Sequence, residues 1–208
     1  MRRLTFFAHT TLDGFIADAA GELWERFRWG EQEMAFNNAF FRTADTWVLG
    51  RKMYEAIVPW WDMVAAGRPP EDAPALTERD VEFAALHQAM TKIVVSRTLD
   101  EAGGARRVIR TNVAGELAEL KRQSGRDIVL SCGPDLLAEL APVPGLIDQY
   151  LIAVHPTVLG RGMHLFRGIR RELPLELRET AVFDAGTVVL RYSAISLRDS
   201  TAPLMQQT

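Results

Sequence analysis

An α/β domain with a mostly parallel central sheet is the fold class this sequence predicts, and three observations predict it. Short apolar, β-branched runs alternate with amphipathic stretches as far as residue 140. Several of those runs pass straight into residues that open a helix, as at Leu49-Gly50-Arg51 and Ser131-Cys132-Gly133-Pro134. From Ile147 onward the pattern is strands only. Together they give a three-layer α/β/α domain whose parallel strands are covered by helices, with antiparallel strands at one edge.

The elements follow in order. Leu4 to His9 reads as a strand, and Thr11 to Ala17 carries a turn glycine, Gly14, inside an otherwise extended run, which suits an irregular functional loop. Phe36, Ala39, Phe40 and Thr43 recur at helical spacing between Glu31 and Ala44. Trp47 to Leu49 is a buried strand, and Gly50 to Val58 a helix that Pro59 is expected to stop, since a proline nitrogen cannot donate. Gly67 to Pro74, rich in proline, reads as an exposed loop. Thr77 with Asp80 resembles a capping box for a helix running to about Met90, before a strand at Ile93 to Val95. Val108-Ile109 is a short strand, Asn112 a candidate cap, and Leu117, Leu120 and Lys121 lie on a helix ending near Gly125. Ile128 to Leu130 is a strand and Pro134 to Leu140 a helix. After the run Ile147 to Val154, Leu175 to Phe183 and Thr187 to Ser196 alternate as a hairpin around Asp184-Ala185-Gly186, and the tail from Arg198 is expected to fray.

Composition narrows the function. The 208 residues form one domain, 48% hydrophobic, with 24 Lys and Arg against 27 Asp and Glu. The net charge of −3 argues against nucleic acid. No apolar run approaches the ~20 residues of a spanning helix, and no secretory signal is evident, so no membrane partner and a cytoplasmic location are expected. One cysteine, Cys132, cannot form an internal disulfide or the thiolate set of a zinc deaminase, and reads as structural. His9, His87, His155 and His164 show no ligand spacing, so no metal is expected.

Three strand ends carry the chemistry. Gly50, Arg51 and Lys52 place free amides and cations at a helix start, which suits a phosphate as well as it suits a tight turn with solvated side chains. Gly133 before Pro134 would let a pyrophosphate approach the backbone, with Asp135 close by. Ser96 and Arg97 supply the hydroxyl and guanidinium that suit a ribose 2′-phosphate, which favours NADPH. Each has a bland reading alone. Three at the ends of successive inner strands point to a dinucleotide.

The segments Thr11 to Ala17, Asp45 to Glu55, Ser96-Arg97, Cys132 to Leu137 and Leu146 to Asp148 through Pro156 and Leu159-Gly160 together resemble the dihydrofolate reductase-like superfamily. They are most similar to the reductase, or C-terminal, domain of the bacterial riboflavin-biosynthesis deaminase/reductase. The resemblance spans residues 4 to 196 and implies an NADPH-dependent oxidoreductase. Gly50, Arg51, Lys52 and Met53 match its phosphate-binding stretch, and Ser96 and Arg97 the stretch near the 2′-phosphate. Cys132, Gly133, Pro134, Asp135, Leu136 and Leu137 match its pyrophosphate turn. Asp13, Gly14, Phe15, Ile16 and Ala17 match the loop that closes on the nicotinamide. Met53 replaces a usual hydroxyl, and Gly50 to Trp61 stands where the riboflavin-pathway enzyme has an Asp-Asp-Pro substrate segment. Homodimerisation is also implied.

The expected reaction is hydride transfer to a pterin- or aminopyrimidine-type ring, as in 5-amino-6-(5-phosphoribosylamino)uracil reductase. Dihydrofolate reduction and a non-catalytic nucleotide-binding module are the alternatives. Protonation of a C=N nitrogen needs an acid, and Glu33 beside Phe36 is the first candidate, with Asp13 second. Trp24, Trp29, Tyr54, Trp60 and Trp61 are dense in these segments. Phe36, Tyr54 and Trp61 are the expected substrate contacts.

Overall fold

The computed structural model describes residues 1–22, 27, 30–71, 73–99 and 107–195. Trp24, Trp29, Ser196 and the tail from Arg198 lie outside the described residues. The strands are β1 (Leu4–Thr11), β2 (Phe15–Ala17), β3 (Ala44–Gly50), β4 (Thr91–Val95), β5 (Arg107–Ile109), β6 (Asp127–Ser131), β7 (Gln149–His155), β8 (Met163–His164), β9 (Leu175–Val182) and β10 (Val188–Ala194). The helices are α1 (Glu31–Phe41), α2 (Arg51–Ala65), α3 (Glu78–Ala89), α4 (Val113–Arg122) and α5 (Pro134–Leu140). Eight strands form one sheet in the order β5-β4-β3-β6-β1-β7-β10-β9, and β2 pairs with β8 beside it. From β5 to β7 all neighbours are parallel, whereas β10 and β9 are antiparallel.

Strand periodicity separates two cores. Leu4, Phe6, Val48, Ile128 and Leu130 pack on one face with Leu117 and Leu120 of α4 and Leu137 and Leu140 of α5. Phe7, Trp47, Leu49 and Val129 point to the other face, against Phe40 and Phe41 of α1, Ile57 and Val58 of α2 and Phe83 of α3. The inner strands are therefore apolar on both sides, which is why they read as unbroken apolar runs.

Three expectations need correction. Pro59 does not stop α2, which continues to Ala65. The proline sits on the exposed side, while Ile57, Val58 and Val64 are buried, so packing outweighs the lost hydrogen bond. Helix α1 ends at Phe41, and Ala44 already belongs to β3. Its buried face runs through Glu33, Met34, Asn37, Asn38, Phe40 and Phe41, and Ala39 is exposed. Asn112 precedes α4 in the left-handed region, with φ of 48°, and its side chain makes no capping hydrogen bond. The capping box of α3 forms as read: the Asp80 N–H donates to Thr77 Oγ1, and Asp80 Oδ2 accepts from the Thr77 N–H.

Candidate active site

Parallel pairing brings the three basic or glycine-bearing junctions side by side. Gly50 stands opposite Val95, the residue before Ser96, and Leu49 stands opposite Ser131, two residues before Gly133. A Cβ placed on Gly50 would lie 3.4 Å from Cys132 Cβ and 3.7 Å from the Gly133 nitrogen, so the α2 and α5 junctions touch. Nothing lies within 4 Å of the Cβ position of Gly133, which leaves its backbone approachable. Helix α2 begins without a side-chain cap or an acidic residue in its first turn. Arg51 and Lys52 are exposed there, Arg51 donating to Glu55 at 3.1 Å. Ser96 is buried, and its Oγ accepts the Thr98 and Leu99 N–H groups, while Arg97 is exposed. Asp135 is exposed and forms a two-oxygen pair with Arg167, both contacts at 3.0 Å. That cation offsets a carboxylate next to the glycine turn, and its distance in sequence hid it. Pro134 and Leu137 are buried, Leu137 wholly within the core, so a dinucleotide could meet the α5 segment through its backbone but not through Leu137.

Beneath this edge a cavity of about 630 Å³ opens between the sheet and the first three helices. The sheet contributes Phe7, Ala8, His9, Trp47, Ser131 and Cys132, and β2 contributes Ile16. Helix α1 supplies Glu31, Met34, Asn37 and Phe41, spaced three or four residues apart along one face. Met53, Ala56, Ile57, Trp60 and Trp61 come from α2, and Asp80 and Phe83 from α3. The Trp61 ring meets Phe83 edge-on at 4.7 Å. Of the residues singled out from the sequence, Ile16, Met53, Cys132 and Trp61 are thus brought to one space. Phe36 and Tyr54 are not among its wall residues: the Phe36 ring lies 5.6 Å from Phe183 of the hairpin, and Tyr54, half-buried on α2, packs against the core on that side of the sheet.

Neither carboxylate singled out from the sequence lines the cavity. Glu33 is 5% exposed and its Oε1 has no hydrogen-bond partner among the described residues. Its side chain folds against Gly30, near Ala185 of the hairpin turn. Asp13 acts as a clasp. It accepts from Thr11 Oγ1 at 2.6 Å and from the Gly160 N–H at 2.7 Å, with Leu159 N–H at 3.2 Å. The Thr11 hydroxyl and these amides hold its carboxyl below the usual carboxylate range. Gly14 has φ of 82°, and a Cβ there would lie 2.8 Å from His164 Nε2. The stretch from Gly14 to Ala17 is therefore fixed against β8 and the residue after it: Phe15 and Ala17 pair with His164 and Met163, and the Leu165 N–H donates to the Gly14 carbonyl.

Polar side chains of the wall beyond the expected site residues are His9 and Asn37, with Glu31, Thr77, Asp80 and Ser131. His9 Nδ1 lies 2.9 Å from His155 Nε2, and His155 Nδ1 lies 3.4 Å from Thr187 Oγ1. The Phe27 ring stacks on His155 at 4.5 Å. Burial, followed by repulsion from His155, lowers the His9 pKa to about 3, so the ring is neutral at physiological pH. Both positions carry a sequence signal. His9 follows Phe7 by two residues on one strand face, and Asn37 falls three after Met34 and four before Phe41. Burial raises the Cys132 pKa, so the thiol stays protonated and unreactive.

The model of the RibD C-terminal domain matches residues 2–189, almost the whole chain. The chain belongs to that family. It is 31% identical over 192 residues to the uncharacterized protein YyaP of Bacillus subtilis (strain 168), covering 92% of this chain and 94% of YyaP. Among solved structures, the diaminohydroxyphosphoribosylaminopyrimidine deaminase/5-amino-6-(5-phosphoribosylamino)uracil reductase of Thermotoga maritima superimposes with a TM-score of 0.64 at 12% identity. That likeness covers 93% of this chain and 57% of the Thermotoga one. Dihydrofolate reductase from Enterococcus faecalis, complexed with NADP(H), gives 0.59 at 17% identity, covering 92% and 96%. These likenesses show that this member of the family has a dihydrofolate reductase-like α/β fold. Among the described residues no helix is long and apolar enough to cross a membrane.

Proposed function

We propose that the protein is an NADPH-dependent reductase that delivers hydride to the C=N bond of a pterin- or aminopyrimidine-type ring. The observation that carries this reading is the shared cavity. Ile16, Met53 and Cys132, from three of the four segments that resemble cofactor-binding stretches, form one wall system with the aromatic side chains of α1 to α3. Such a space suits a nicotinamide and a flat acceptor held face to face, where positioning removes much of the entropic barrier.

The residues at the sheet edge fit the cofactor. Gly50 and Gly133 let its phosphates approach the main chain, Arg51 and Lys52 offset their charge at the uncapped start of α2, and Ser96 and Arg97 stand where a 2′-phosphate would lie. NADPH, when bound, supplies the hydride. The chain excludes water with its apolar wall and orients the acceptor through Asn37 and His9, while the ring nitrogen takes its proton from water rather than from Glu33 or Asp13. In support stand the family, the acid-free α2 start and the placement of Glu33 and Asp13 outside the cavity wall, the wall carboxylates Glu31 and Asp80 being held by Arg79 and by Thr77.

Titration with NADPH, followed by tryptophan fluorescence, tests the reading. Binding is expected well below millimolar concentration, and Arg51→Ala with Lys52→Ala should weaken it by about tenfold or more, because charge-assisted contacts contribute about 1.5–3 kcal/mol each. No binding at millimolar NADPH would overturn it.

A further inference from the structure

Most polar side chains that line the cavity are already committed to the protein itself. His9 pairs with His155 at 2.9 Å. Ser131 Oγ accepts from Trp47 Nε1 at 3.0 Å and donates to the Phe7 carbonyl. On the helices, Glu31 accepts from Arg79 at 2.9 Å, and Thr77 and Asp80 close their capping box on each other.

Asn37 differs. It lines the same cavity and is only 7% exposed, yet among the described residues its side-chain amide has no hydrogen-bond partner. The next residue shows what an asparagine of α1 can do when it is used for structure: Asn38, which is not in the wall, donates through Nδ2 to the Arg79 carbonyl at 3.0 Å and to Glu82 Oε2 at 2.7 Å. Asn37 instead stands between Met34 and Phe41 on the wall face of α1, three and four residues from them, and both are apolar core side chains.

An unpaired amide in that place costs stability twice. Burial strips its water without returning a hydrogen bond, and asparagine is a poor residue for a helix interior. A leucine would continue the apolar stripe with neither penalty. A residue that breaks local rules without a structural return is one kept for a ligand.

The chemistry of that ligand follows from the amide. Its oxygen accepts and the NH2 beside it donates, so the matching partner is a ring edge on which an N–H stands beside a C=O. Resting on the reading that this cavity holds the acceptor, we infer that Asn37 is the specificity-determining residue of the site, reading the cyclic-amide edge of a planar heterocycle whose faces the aromatic wall takes. A ring alkylated at that nitrogen leaves the amide unpaired and is refused.

The test uses the full chain without cofactor, with lumazine and 1,3-dimethyllumazine as probes and calorimetry as the readout. The two share one planar ring system, and methylation removes both edge N–H groups. Lumazine should bind at least about tenfold more tightly than its dimethyl analogue. Asn37→Leu should weaken lumazine by about tenfold and change the dimethyl analogue by less than about twofold, a split that a merely structural role would not produce. Urea unfolding of the same variant should show a midpoint at or above that of the unaltered chain, since the unpaired amide is gone. The inference is overturned if the two probes bind alike, if neither binds, if Asn37→Leu keeps the preference, or if its midpoint falls. Failure of the NADPH titration with the lumazine preference intact removes the reductase reading and keeps Asn37, whereas NADPH binding without that preference removes Asn37 alone.

Discussion

His9 shows how one residue is set by its surroundings. Its ring sits in the cavity wall with Nδ1 2.9 Å from His155, and burial keeps it neutral with a pKa of about 3. Unfolding returns it to an ordinary value near 6.5, so between those values the unfolded chain binds a proton that the folded one does not. Stability contributed by His9 is therefore complete above pH 6.5 and is lost as pH falls, by at most about 1.4 kcal/mol per pH unit. Urea unfolding at pH 7, 6 and 5 should show this decline, and His9→Gln should flatten part of it. Asp13 acts in a lower window. Its folded pKa is depressed, so its share is present above the ordinary carboxylate value and lost below it. At this scale the sequence was partly legible. Trp61, Met53, Ile16 and Cys132 reached the cavity, whereas Glu33 and Phe36 turned toward the hairpin, because a helix exposes several faces and a glutamate does not reveal which neighbour it will meet. His9 and Asn37 were readable as polar residues breaking an apolar stripe at the right period.

Elements with strong apolar periodicity were legible, and their limits were set by packing. Helix α5 runs from Pro134 to Leu140, and the capping box of α3 stands where Thr77 and Asp80 placed it. Helix α2 differs, because a local rule against proline met a longer-range gain from burying Ile57, Val58 and Val64. Pro59→Ala should therefore raise unfolding free energy by about 1–3 kcal/mol, the helix-interior cost of proline less the unfolded-state entropy it removes. An unchanged denaturation midpoint would show that α2 carries no such cost. The β2–β8 pair gives the opposite case. Gly14 needs its positive φ and the space beside His164, so Gly14→Ala should lower stability by about 1–3 kcal/mol. His164→Ala in the same chain should restore only the part due to crowding, which melting of the single and double variants would measure.

Over the whole molecule, alternation of strand and helix foretold a parallel sheet with an antiparallel end, but not the order β5-β4-β3-β6-β1-β7-β10-β9. Strand order depends on which apolar faces fit, and apolar runs such as Ile93 to Val95 and Ile128 to Leu130 look alike in sequence. The three junctions that meet NADPH in the proposed function come from separate segments, so the cofactor would bind only the assembled sheet. At a hundredfold excess over its Kd, NADPH should add about 2.7 kcal/mol to unfolding, roughly 5–10 °C in Tm for a chain of this size. Scanning calorimetry with and without NADPH measures it, and an unchanged Tm would count against binding to the folded sheet edge.

The cavity wall is drawn almost entirely from residues 7–83, with Ser131 and Cys132 the exceptions, while α5 and the antiparallel hairpin lie outside it. In the proposed function, selectivity for the acceptor would therefore be written in one continuous stretch of the chain. Transplanting that stretch between relatives should exchange the ligand that the cavity takes while leaving the remainder of the scaffold as a common chassis.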